Sequence, residues 1–197
     1  MKIITADHVL PISTEPITNG AVAIVGECIA AVGDREQIVG QFPDAEIIDY
    51  GAAAIMPGMV NCHSHLEITA MRGALDEVEH DFRSWLLRLN SIRESWTDED
   101  VEASASAGAL EGSRAGVTCF GDIGRMGNAG VKALKAAGLR GIVYQETEFS
   151  PDNRTAANDF EELGAKFELL KDEETDLVKV GLSPHAPRGG RVAVLFA

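Results

Sequence analysis

The sequence predicts an α/β protein, a small β unit over the first fifty or so residues followed by four strand-and-helix steps with parallel strands. Three observations carry this. Short apolar stretches, KIITADHVL, GAVAIV, CIAAVGD and AEIIDY, alternate with turn-formers in the first part, as strands of a small sheet do. From Ala54 onward, apolar strands alternate with segments of helical period, the pattern of parallel strands joined by crossover helices. The 197 residues are 45% hydrophobic and 24% charged without a biased tract, so a chain of this length has enough apolar surface to build a core. The predicted organisation is residues 1–53 as the β unit, 54–187 as the strand-and-helix part, and 188–197 as an atypical tail.

Each element has a local reason. Gly26-Glu27 separates the second and third strands, and a Gly-X pair suits a type II′ hairpin; DREQIVGQF is the one helical piece in this part. AIMPGMVNCH reads as the first strand of the second part. Phe82, Trp85, Leu86, Leu89 and Ile92 recur at helical spacing and predict an amphipathic helix. Thr97 followed by Asp100 is a capping-box variant opening a helix that runs to Gly116. VTCFGDI is the second strand, Ala129–Gly138 a helix and LRGIVYQE the third strand. Phe160, Leu163, Phe167 and Leu170 give the next helix an apolar face, and LVKVGLSPH is the fourth strand.

Charge and cysteines exclude some functions. Thirty-one acidic residues against seventeen basic ones leave a net charge of -14, a field that repels phosphate backbones and anionic membranes. Nucleic acid and membrane are therefore not expected as partners. Cys28, Cys62 and Cys119 are odd in number and widely spaced, which fits neither a disulfide framework nor a zinc knuckle and points to a reducing cytoplasm. No apolar run is long enough for a signal h-region or a membrane span.

The chemistry is concentrated at strand ends. Alternation along a strand sends His63 and His65 to one face, where two imidazoles can converge on an ion, and Cys62 and Ser64 to the other, where Cys62 is expected to pack. In a parallel barrel the C-terminal ends of the strands are where active sites are built. Asp122, Gln145 and Glu146 end later strands and could reach such a site, although an aspartate at Asp122 also suits a helix cap. His8 and His80 lack a partner at ligand spacing and read as surface histidines; Glu67 receives no role.

MPGMVNCHSHLEITAMRG resembles the signature of the amidohydrolase superfamily, in its branch of cytosine deaminases, S-adenosylhomocysteine and methylthioadenosine deaminases and chlorotriazine hydrolases. IVGECIAAVGD, AGVTCFGDI and GLSPHAP fall in the same order as in that family, and the likeness runs from about Lys2 to Pro187. The resemblance implies the first half of a metal-dependent (β/α)8 TIM-type barrel preceded by part of a small β-sandwich domain. It also implies one divalent metal ion, zinc or iron, that activates water for attack on a ring or amide carbon of a small-molecule substrate, with ammonia or an amine leaving. By the same resemblance His63 and His65 are metal ligands, His185 touches substrate, and Glu94 contacts a substrate sugar, though SIRES around Glu94 departs from the family pattern.

A catalytic zinc ordinarily has three protein ligands. The family's third metal histidine, its H-x-x-E motif and its late aspartate have no counterpart, since no histidine follows His185 and no aspartate follows Asp176. No catalytic acid or base is identified in the chain. The expectation is a truncated N-terminal half of a deaminase of an N-heterocycle or nucleoside-like compound, with open sheet edges that favour homo-oligomers. The competing expectation is a non-catalytic half-barrel that self-associates and binds metal or ligand weakly.

Overall fold

The computed structural model describes residues 1–146 and 156–183. The chain forms two compact units, Met1–Gly58 and a second beginning at Met59.

In the first unit β1 (Lys2–Val9), β2 (Ile17–Val25), β3 (Cys28–Asp34), β4 (Glu46–Asp49) and β5 (Ala54–Ile55) form one sheet with α1 (Arg35–Gln41) against it. β1 pairs antiparallel with β2, which pairs antiparallel with β3, while β4 and β5 run parallel to β1 along its other edge. The β2–β3 connection is the expected two-residue hairpin: Val25 faces Cys28 and Gly26 has φ of +59°, a conformation glycine adopts without steric cost. Asp34 caps α1 by accepting from the amides of Glu36 and Gln37, and Ile38 packs on Ile3, Ala21 and Ala23.

The second unit is built on a parallel sheet in the order β6 (Met59–Ser64), β7 (Val117–Gly124), β8 (Arg140–Glu146) and β9 (Val178–Ser183). Two helices, α2 (Phe82–Ser95) and α3 (Asp98–Arg114), lie between β6 and β7; α4 (Gly127–Ala137) joins β7 to β8 and α5 (Ala156–Lys171) precedes β9. These are the expected strand-and-helix steps. Thr97 and Asp100 form the full capping box of α3, and α4 ends at Gly138 in the left-handed conformation. The core is assembled from Val101, Ala105 and Ala109 of α3, Val131 and Leu134 of α4, and Phe120, Val143 and Val178 of the strands.

The run from Ala54 to His63 differs from its reading as one strand. Ala54 and Ile55 pair with His8 and Val9 in the first sheet, and pairing with β7 begins only at Met59. Pro57, which lacks an amide hydrogen and restricts the residue before it, sits in the break. Cys62 is exposed rather than packed, because β6 is an outer strand of the described sheet, with Met59 and Val60 also exposed.

Candidate metal centre

β6 ends at Ser64, so His63 is its penultimate residue and His65 stands just beyond it, at the head of a 3-10 turn, Leu66–Met71. The strand alternation that predicted convergence therefore stops one residue early. The rings nevertheless meet, with centroids 5.1 Å apart and planes nearly perpendicular. His63 is exposed and His65 half-buried.

His65 Nδ1 lies 2.8 Å from the carbonyl oxygen of Ile123, near the end of β7. A carbonyl only accepts, so this hydrogen bond places the imidazole proton on Nδ1 and leaves the lone pair of Nε2 for a ligand. Metal-binding histidines are commonly oriented this way. The backbone amide of His63 donates to Asn61 Oδ1 at 3.2 Å.

Two buried carboxylates hold the turn behind the pair. Asp122 Oδ1 accepts from the Leu66 amide at 2.8 Å and from Ser64 Oγ at 3.0 Å. Burial pushes its pKa up to about 6; the Leu66 and Ser64 hydrogen bonds oppose that shift, the charge of Glu67 adds to it, and His65 opposes it. The suggestion that Asp122 caps a helix has a counterpart here: it caps the turn after the histidines, reaching from the neighbouring strand. Glu67, left without a role from sequence, is 4% exposed. It pairs with the Arg93 guanidinium and accepts from the Met126 amide at 2.9 Å. Ser104 Oγ accepts from Ala70 N–H at 2.9 Å, and Thr69 Oγ donates to the Leu66 carbonyl at 2.9 Å.

The other sequence candidates fall in different places. Gln145 is buried, but its amide is committed to structure, accepting from Gly127 and donating to the Arg125 and Glu146 carbonyls. Glu146 stands 3.9 Å from Arg125. Glu94 is exposed on α2, and His8 and His80 are on the surface as expected. His185 lies outside the described residues. A cavity of about 450 Å³ between α4 and α5, lined among others by Arg125, Met126, Gln145 and Leu170, includes neither histidine.

As a test of fit, the imidazole pair supplies two neutral nitrogen donors, one with its tautomer fixed. Among the described residues no third His, Cys, Asp or Glu completes a cluster able to hold a metal ion. The pair suits part of a donor set.

The amidohydrolase family model matches residues 54–191, the greater part of the chain. The chain belongs to the amidohydrolase family. Residues 20–45 also match a bacterial imidazolonepropionase-like composite domain. Within this family the chain is similar to a 5-methylthioadenosine/S-adenosylhomocysteine deaminase of Nitratidesulfovibrio vulgaris, 41% identical over 125 residues that cover 63% of this chain and 28% of that protein. A deaminase of the same description from Syntrophobacter fumaroxidans is 31% identical over 171 residues, covering 85% of this chain and 38% of the relative. In structure the chain is similar to an atrazine chlorohydrolase of Arthrobacter aurescens solved in complex with zinc, with a TM-score of 0.76 at 19% identity over 93% of this chain and 46% of that one. The parallel sheet is thus part of the amidohydrolase barrel. The chain spans less than half the length of each of these proteins.

Proposed function

We propose that this chain is part of a metal-dependent hydrolase of non-peptide C–N bonds, a deaminase of an N-heterocycle or nucleoside-like substrate, in which His63 and His65 are two of the ligands of one divalent ion. The single observation that carries the reading is the His65–Ile123 hydrogen bond, which prepares one imidazole to donate through Nε2 with the ring of His63 beside it. The names of the relatives, deaminases of methylthioadenosine and S-adenosylhomocysteine, support the substrate class. The zinc of the chlorohydrolase supports a divalent ion, zinc or iron, at the pair. What such an ion supplies is acidification of water, to a pKa of about 7, so that a nucleophile exists at neutral pH.

The chain's own residues then have defined tasks. His65 keeps its proton at Nδ1, against Ile123, and His63 and His65 offer nitrogen lone pairs. Glu94, exposed on α2, is proposed to accept hydrogen bonds from substrate sugar hydroxyls, and His185 to contact the substrate. The net charge of -14 supports a small-molecule partner rather than nucleic acid or an anionic membrane. No helix among the described residues is long and apolar enough to cross a membrane. Three unpaired cysteines support a cytoplasmic setting, and the exposed Met59 and Val60 of β6 support self-association.

The test is release of ammonia from 5-methylthioadenosine and S-adenosylhomocysteine by the zinc-loaded full-length protein of which this chain is proposed to be part. The expected result is turnover that His63→Ala abolishes. A second reading, a module that binds metal or nucleoside without turnover, is favoured by the lack of a third ligand among the described residues. Metal and nucleoside bound, with no ammonia released, would establish it instead.

A further inference from the structure

Glu67 is a carboxylate that the fold has taken almost wholly out of water, at 4% exposed. Burying a charge is unfavourable unless donors meet its oxygens, and an apolar side chain of similar volume commonly serves stability as well. Its charge therefore calls for a reason other than packing. Both oxygens are met, and by different elements: one by the Arg93 guanidinium of α2, the other by the Met126 amide ahead of α4. Gly124 makes the room, since a Cβ there would stand 2.9 Å from Glu67 Oε2.

Helix α2 needs such an anchor. Leu89 is its one buried side chain, and Phe82 and Leu87 stay exposed. Arg93 lies in its last turn, at 21% side-chain exposure, and immediately precedes Glu94. Fixing Arg93 fixes the turn that carries Glu94. The other end of the same pivot is two residues beyond His65, within the turn that Asp122 caps.

We propose that Glu67 is a positioning residue that ties the last turn of α2, and with it Glu94, to the turn following the histidine pair. The inference rests on the proposed function only for the substrate role of Glu94.

Hydrogen exchange of the full chain, read by mass spectrometry for wild type, E67Q, R93M, R93K and G124A, tests it. E67Q and R93M are expected to speed exchange in the second half of α2 by about tenfold or more while β7 and β8 keep their protection, because local opening is then decoupled from global unfolding. R93K, which keeps the charge, is expected to restore slow exchange. G124A alters no residue of α2 yet is expected to speed exchange in the same segment by crowding the carboxylate. Zinc affinity of the wild type, measured by competition with a chelator, tests the metal reading separately. Unchanged α2 exchange in E67Q and R93M, or a parallel loss of protection in α2, β7 and β8, would overturn the proposal. Absence of zinc binding by the wild type would overturn the metal reading alone, and the exchange pattern would still decide the role of Glu67.

Discussion

At the scale of single residues, the chemistry of the centre depends on which groups hold a proton and where. The Ile123 carbonyl sets the tautomer of His65, and Asp122 sets the turn that follows it. Because burial raises the Asp122 pKa from 3.8 to about 6, the folded state binds this proton more tightly than the unfolded state does. The associated stability is fully present below about pH 4 and is lost as pH rises through about 6, an effect of up to about 3 kcal/mol at about 1.4 kcal/mol per tenfold in proton affinity. Asp122→Asn removes that titration while keeping an acceptor for Leu66. The urea midpoint of the variant is expected to gain on wild type as pH rises from 4 to 7, and a difference that does not vary with pH would refute the assignment. His63 and His65 were legible from the strand-end H-x-H pattern. Glu67 was not, because it follows the end of the strand, where neither alternation nor helical period indicates the direction of a side chain.

At the scale of elements, the helices differ in how they are held. α3 begins with a complete capping box and buries Val101, Ala105 and Ala109. Thr97→Ala is expected to cost about 1 kcal/mol, the usual worth of a lost N-cap, in equilibrium urea unfolding. α2 is anchored by Leu89 and by the Arg93–Glu67 pair. Leu89→Ala is expected to cost about 2–5 kcal/mol in equilibrium urea unfolding, as at other buried positions, and a loss below about 0.5 kcal/mol would refute its role as an anchor. The capping box, the Gly26 hairpin and the order of strands and helices could be read from sequence because each rests on local chemistry. The division of Ala54–Ser64 between two sheets could not: the run is apolar on both sides of Pro57, and apolar period alone does not say which sheet a strand joins. The exposure of Cys62 was not legible for a related reason, since alternation gives a face but not whether that face is covered.

At the scale of the whole molecule, the second unit holds four parallel strands of an amidohydrolase barrel, with the histidine pair at the end of β6, an outer strand of the described sheet. The family was legible in the MPGMVNCHSHLE stretch, and residues 54–191 match it. The rest of the donor set is not legible from the fold, because among the described residues no third His, Cys, Asp or Glu joins the pair. The central claim is that His63 and His65 form a working part of a metal site. Elemental analysis of the purified protein beside a His63→Ala, His65→Ala double variant tests it most directly. About one zinc or iron ion per chain, lost in the variant, is the expected result for a mononuclear centre. A wild type without metal, or a variant that retains it, would rule out His63 and His65 as ligands.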